Sequence, residues 1–77
     1  MKIEVHLFGF LLKYAPHQRE SFELKLPDGA VLEDLVASLS IPAEEPRQSL
    51  VNGTHAPDDR VLKDGDTVAL LTPAEGG

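Results

Sequence analysis

Polar and apolar residues alternate from Lys2 to Leu7, with Ile3, Val5 and Leu7 on one side and Lys2, Glu4 and His6 on the other. A period of two puts successive side chains on opposite faces of an extended chain, so this segment predicts a half-buried strand. The same alternation returns from Ser21 to Leu26: Phe22, Leu24 and Leu26 point inward, Ser21, Glu23 and Lys25 outward, and Pro27-Asp28-Gly29 supplies the closing turn. Phe8 to Glu20 is too long for a tight hairpin between the two strands. Within it Phe10-Leu11-Leu12-Lys13-Tyr14 predicts about one helical turn, ended by Pro16, whose ring removes a backbone donor. The period then changes. Val31, Leu32, Leu35, Val36 and Leu39 fall at the spacing of an apolar stripe on a helix, and Glu33 and Asp34 in its first turn suit the helix dipole. Ala30 is a poor N-cap, so Asp28 is expected to serve.

Ser40 to Pro46 reads as a breaker-rich loop. Ser49-Leu50-Val51 predicts a short strand ending in Asn52-Gly53, a favoured hairpin pair because both residues tolerate positive φ. A return strand near Thr54 to Ala56 is broken by Pro57-Asp58-Asp59. Asp64-Gly65-Asp66 then turns the chain into Thr67-Val68-Ala69-Leu70-Leu71, apolar enough for a central strand covered on part of both faces. The order is strand, strand, helix, strand, short strand, strand. One helix packed on one face of a mixed four- or five-stranded sheet satisfies the two-layer rule, giving an α+β class. With the first and last strands side by side and parallel, the arrangement is a β-grasp, the one compact solution without a crossed connection. Residues 1–71 form this domain. Residues 72–77, Thr72-Pro73-Ala74-Glu75-Gly76-Gly77, offer nothing large to bury and are expected to form a flexible tail.

Seventy-seven residues bury only roughly 60–65% of their unfolded surface, so a two-layer core is the limit and an enclosed substrate pocket is not expected. A stand-alone enzyme is therefore disfavoured. The absence of cysteine removes disulfides, thiolate metal sites and thiol catalysis together. Thirteen acidic against seven basic side chains, a net charge of −6, disfavour nucleic-acid phosphates and anionic lipid and favour a partner with a basic face. The longest uncharged apolar stretch, Leu7 to Leu12, falls far short of the ~20 residues a membrane helix needs. Glu4 stands where a secretory signal would be apolar, which makes the cytoplasm the expected address.

Conventional catalytic constellations are missing from the body. His6, His17 and His55 share no helical spacing, so they read as surface histidines and no metal site is expected. Ser21, Ser38 and Ser49 lie in no nucleophile elbow, and no phosphate loop precedes the helix. Asp58-Asp59 and Asp64-Gly65-Asp66 lack a calcium loop with its closing glutamate and read as turn and surface acids.

The C-terminal pair is different. Without Cβ atoms, Gly76 and Gly77 can enter a channel too narrow for other residues, and the α-carboxylate of Gly77 has nothing bulky beside it. A carboxylate is a poor electrophile. Its attack on the α-phosphate of ATP would give an acyl adenylate with a good leaving group, and sulfide from a donor would convert that to a terminal thiocarboxylate. ATP, metal and electrostatic stabilisation would then belong to an adenylating partner. The plain alternative is a tail that merely stops on two glycines.

Three ordered motifs, Val51-Asn52-Gly53, Leu62-Lys63-Asp64-Gly65-Asp66-Thr67-Val68-Ala69-Leu70-Leu71 and Pro73-Ala74-Glu75-Gly76-Gly77, resemble the ubiquitin-like sulfur-carrier family. Leu7-Phe8 and Leu11-Leu12-Lys13 also fit, so the resemblance spans essentially the whole chain, and it is strongest to small subunits of molybdopterin synthase. Thiamine-pathway carriers share the fold and the glycine end but typically have a tight first hairpin where this chain has Phe8 to Glu20. The resemblance implies that Gly77 is adenylated by an E1-like activating enzyme using ATP, then thiocarboxylated by a sulfur-donor system. It further implies that Gly76 lets the tail thread into a larger catalytic subunit of molybdopterin synthase, and that the isolated chain binds no cofactor. Glu75 departs from the pattern: its charge just before the glycines requires a basic or solvated place in that channel. Phe8, Leu71, Pro73 and Glu75 are the candidate partner-binding residues. His6, Phe8, Ala69 and Leu71 would share the outer sheet face beside the tail, or Phe8 and Leu71 would instead cover the short helix after the first strand. Other readings stay open: a carrier for tRNA thiolation, thiamine or cysteine, a ubiquitin-like binding module with an idle terminus, or a modifier joined to lysines through Gly77.

Overall fold

The computed structural model of the chain describes residues 1–73. Five strands form one sheet in the order β2-β1-β5-β3-β4, comprising β1 (Lys2–Leu7), β2 (Ser21–Lys25), β3 (Gln48–Val51), β4 (Thr54–His55) and β5 (Thr67–Leu71). β1 and β5 are the parallel pair, with Val5 opposite Val68 and Leu7 opposite Leu70. β2 runs antiparallel to β1, with Val5 opposite Phe22 and Ile3 opposite Leu24. β3 runs antiparallel to β5, with Val51 opposite Val68. The alternation in β1 and β2 thus places the expected residues inward, and the nearly apolar Thr67–Leu71 is a central strand flanked on both sides.

The core lies between the sheet and the helix α1 (Leu32–Ser38). Ile3, Val5, Leu7, Val68 and Leu70 from the sheet and Leu32 and Leu35 from α1 are fully buried, with Val36 nearly so. Seven residues are too few for a helix that stands alone. Burial of these three side chains, each worth about 1.5–3 kcal/mol, is what holds it. Val31 and Leu39, at the ends of the predicted stripe, are only half-buried.

The helix start differs from expectation. The N-cap is Val31, not Asp28 or Ala30. The Asp34 carboxylate accepts the Val31 N–H at 2.9 Å, and the Val31 carbonyl accepts the Asp34 N–H at 2.9 Å, because valine has no side-chain acceptor to offer. Residues around Val31 are held extended by long-range pairing: Val31 bridges Val61, and Leu62 N–H donates to the Ala30 carbonyl at 2.9 Å. That contact decides where the helix begins.

Between β1 and β2, a 3-10 helix spans Gly9–Tyr14 and buries Leu11, in the place predicted for one helical turn. Pro16 opens a second short 3-10 segment, Pro16–Gln18, in which His17 and Gln18 take left-handed φ values of 55° and 59°. The Asn52-Gly53 turn has φ of 53° and 85°, both positive as a tight hairpin requires. Asp66 is not the surface acid expected of a turn; it is buried at the entrance to β5. Its carboxylate accepts Asn52 Nδ2–H at 2.9 Å and the Lys63 N–H at 2.8 Å, while Asn52 Oδ1 accepts the Thr67 N–H at 2.9 Å. These bonds lock the β3–β4 turn to the start of β5.

Candidate functional site: the tail exit and the outer sheet face

Because β5 is the central strand, its last residue, Leu71, lies in the middle of the sheet. The β5 ladder ends with Leu71 opposite Gln48 on one side, and with the Phe8 N–H donating to the Leu70 carbonyl at 3.0 Å on the other. One residue further, the half-buried Thr72 accepts the Phe10 N–H on its Oγ1 at 2.8 Å. Gly9 makes this approach possible. It has φ of 65°, and a Cβ there would lie 2.5 Å from Thr72 Oγ1. Phe10, at 77% exposure, stands beside this junction. Pro73 follows, half-buried. Glu75, Gly76 and Gly77, which carry the expected terminal chemistry, lie outside the described residues, as does most of the expected tail.

The period of two collects a second group on the face of the sheet away from α1. His6 is opposite Ala69, Leu50 opposite Ala69, and Gln48 opposite Leu71. His6, Leu50, Ala69 and Leu71 are all half-buried. Phe8, extended at φ −128°, lays its ring on the imidazole of His6, with centroids 6.3 Å apart and planes 11° from parallel. His6 Nε2 is also hydrogen-bonded to the Glu4 carboxylate. Phe8 remains 39% exposed. Its stacking partner is on the strand face, and the side chain buried by the 3-10 helix is Leu11. The structure thus brings Phe8 and Leu71 to one end of the outer face, with Pro73 two residues beyond Leu71.

Elsewhere, an open cleft of about 380 Å³ on the helix side is lined by Val36, Ala37, Ile41 and Ala43, with Glu33 and an Arg47–Asp58 ion pair of 2.9 Å. Among the described residues that line it there is no serine, threonine, lysine or histidine. Among the described residues no group of three or more His, Cys, Asp or Glu side chains is placed to hold a metal ion, and no helix is long and apolar enough to cross a membrane.

Sequence reasoning missed Gly9, Phe10 and Thr72. The one local signal was the glycine itself between two phenylalanines. The contact that gives it meaning joins residues 62 positions apart.

A five-stranded mixed sheet with a parallel central pair and one helix on one face defines a ubiquitin-like β-grasp protein. The comparisons with known proteins narrow this further. The ThiS family model matches residues 5–77, and the chain belongs to that family of ubiquitin-like sulfur carriers. No curated protein matches it in sequence. Among solved structures, it is similar to a chain of the complex of subunits 1 and 2 of molybdopterin-converting factor from Helicobacter pylori 26695, with 29% identity over 100% of this chain and 100% of that one and a TM-score of 0.67. It is also similar to Urm1 from Trypanosoma brucei, with 26% identity over 99% of this chain and 95% of that one, TM-score 0.68. SAMP1 from Haloferax volcanii shares the fold, with 22% identity over 100% of both chains and a TM-score of 0.78.

Proposed function

We propose that this chain is the sulfur-carrying small subunit of a molybdopterin synthase, with the Gly77 carboxylate as its working group. A carboxylate oxygen of Gly77 attacks the α-phosphorus of ATP held by an E1-like activating enzyme, and pyrophosphate leaves. Sulfide from a donor system then attacks the acyl carbon, AMP leaves, and Gly77 ends in a thiocarboxylate. The tail enters the larger catalytic subunit, where the thiocarboxylate sulfur attacks a substrate carbon and displaces an oxygen leaving group from it, forming an acyl thioester-linked intermediate on the way to the dithiolene. Water cleaves the remaining acyl–sulfur bond and restores the carboxylate. Gly76 lets the tail thread, Glu75 meets a basic or solvated place in the channel, and Phe8, Leu71 and Pro73 contact the partner beside the exit. The chain itself contributes an acidic docking domain and a reactive end, without a cofactor of its own.

The observation that carries this reading is the central placement of β5. That strand ends at Leu71, beside Phe8 on the outer face and immediately before the Pro73-to-Gly77 motif in sequence, in a family member similar to a chain of the Helicobacter pylori complex of subunits 1 and 2 of molybdopterin-converting factor. The segment from Phe8 to Glu20, folded into 3-10 helices in place of a tight hairpin, favours the molybdopterin side over the thiamine carriers. Similarity to Urm1 keeps a second reading in view, the same terminal chemistry serving a different acceptor.

The test is the intact mass of the native protein, purified without acid from its own cells together with whatever co-purifies. Replacement of one oxygen by sulfur, localised to Gly77, is the expected result, with a larger synthase subunit alongside. A thiocarboxylate accompanied by a different partner moves the chain to another sulfur pathway. An unmodified terminus that stays unmodified with ATP, sulfide and the host's activating enzymes would overturn the carrier reading and leave a binding module. Deleting Gly76 and Gly77 then separates the classes: a carrier or modifier loses all function while folding normally, and an adaptor keeps its partner.

A further inference from the structure

We propose that Gly9, Phe10 and Thr72 form a clamp that fixes where, and in which direction, the tail leaves the domain, making Thr72 a positioning residue for the chemistry at Gly77. This rests on the carrier reading and adds a requirement to it.

The clamp has two parts, which share the Thr72 side chain. The first is a hydrogen bond. The amides at the start of a helix have no partner within it, and Phe8, the N-cap of the 3-10 helix, supplies no side-chain acceptor. The Phe10 N–H is instead satisfied by the hydroxyl of Thr72 at 2.8 Å, from 62 residues away. The second is steric. Gly9 holds a left-handed φ of 65°, and a Cβ there would come within 2.5 Å of Thr72 Oγ1 and 2.9 Å of Thr72 Cβ. The Gly9 backbone is thus a seat into which the Thr72 side chain fits. Neither contact is needed for the sheet, whose ladder is complete at Leu71.

The consequence is mechanical. With Thr72 seated, five residues separate the clamp from the reactive carboxylate, a reach of at most roughly 17 Å at full extension. Without it, the last residue that the sheet ladder holds is Leu71, and the direction in which the chain continues is no longer set at Thr72. A partner that docks the outer face and receives Gly77 at a fixed distance would then hold the domain as well as before but find the carboxylate in place less often. Misplacement of a reacting group lowers the turnover of the docked complex without weakening docking. A clamp therefore acts on kcat, and a docking contact acts on KM.

The experiment is ATP–pyrophosphate exchange with radiolabelled pyrophosphate and the activating enzyme that adenylates the wild-type chain, comparing Thr72→Val, Thr72→Ser and wild type. Thr72→Val keeps the shape and removes the acceptor; kcat is expected to fall on the order of 10-fold with KM for the chain within about 2-fold. Thr72→Ser restores the acceptor and returns kcat to within about 2-fold of wild type. Amide exchange supplies a readout free of any partner: the Phe10 amide is protected in wild type and Thr72→Ser and exposed in Thr72→Val, with the rest of the domain unchanged. Gly9→Ala, which pushes Thr72 from its seat, lowers kcat in the same way if it folds, and the threonine variants decide the matter if it does not. Wild-type kcat and KM in Thr72→Val, a rise in KM alone, or an unprotected Phe10 amide in wild type would each overturn the clamp. Failure of the wild-type chain to support exchange sinks the carrier reading and the clamp's role with it, whereas an active wild type with an indistinguishable Thr72→Val sinks the clamp alone.

Discussion

Asp66→Asn tests the network at the entrance to β5. The carboxylate is buried and accepts two bonds, one on each oxygen, from Asn52 Nδ2–H at 2.9 Å and from the Lys63 N–H at 2.8 Å. Burial pushes the Asp66 carboxyl up, but the bonds from Asn52 and Lys63, aided by the charges of Arg60 and Lys63, outweigh it and hold the group below its ordinary value. An amide of the same shape can accept only one of the two bonds and turns an N–H toward the other donor. The loss is one hydrogen bond to a charged group, about 1.5–3 kcal/mol. For a chain of this length, with total stability of roughly 4–12 kcal/mol, that is a large fraction. A loss of ~2 kcal/mol lowers Tm by roughly 8–16 °C in a domain of this size. The pH dependence carries a sign. A carboxyl depressed in the folded state stabilises it above the unfolded value of about 3.9, and that contribution is lost as pH falls through the lower folded value. Urea unfolding followed by far-ultraviolet circular dichroism should therefore show a gap between wild type and Asp66→Asn that is full at neutral pH. The gap should shrink below about pH 4 as the wild-type carboxyl protonates. A neutral-pH loss below about 0.5 kcal/mol, or a gap that persists unchanged in acid, would refute the reasoning.

Two further outcomes follow from the same contacts. Leu71→Asp, on the half-buried outer face, is expected to fold, to raise KM for the partner about tenfold or more, and to leave kcat near wild type; unchanged binding in a folded variant removes Leu71 from the docking surface. The lone tyrosine, Tyr14, donates its hydroxyl to Glu45 Oε1 at 2.7 Å, and that bond, with burial and the charges of Glu45 and Glu44, raises its pKa above 10.0. Phenolate absorbance should titrate above that value in wild type and return toward it in Glu45→Gln; identical curves would show that the bond does not form.

Much of this architecture is legible locally because its signals are local. β1 and β5 match their patterns residue for residue, since alternation and apolar runs report burial directly, and Asn52-Gly53 marks its own turn. The misses have one cause. The start of α1 depends on Val31 being held extended by Val61 and on Leu62 bonding Ala30, some thirty residues away. Asp66 looks like any turn acid until Asn52 and Lys63 fold around it. Thr72 looks like the first residue of a tail until Phe10 needs an acceptor. At the site, Phe8 and Leu71 could be placed on the outer face from periodicity, but the stacking of Phe8 on His6 in preference to the 3-10 helix is a matter of packing geometry.

On the carrier reading, the sheet order accounts for the place at which the Gly-Gly end is attached. A partner that draws a tail into a channel exerts its pull on the strand before it. An edge strand, paired on one side and short like the two-residue β4, opens locally at little cost, whereas a strand paired on both sides opens only with much of the domain. β5 is bonded in parallel to β1 and antiparallel to β3, so in a carrier the free energy of partner binding would go into holding the tail and not into reordering the body. The two polar devices at the ends of β5 then have different duties. Asp66 and Asn52 secure its entry and set stability, and Thr72 with Gly9 secures its exit and sets direction. Loss at the entry should lower the free energy of unfolding while leaving turnover per folded molecule intact. Loss at the exit should do the reverse. Kinetics normalised to folded protein therefore separate the two ends of one five-residue strand.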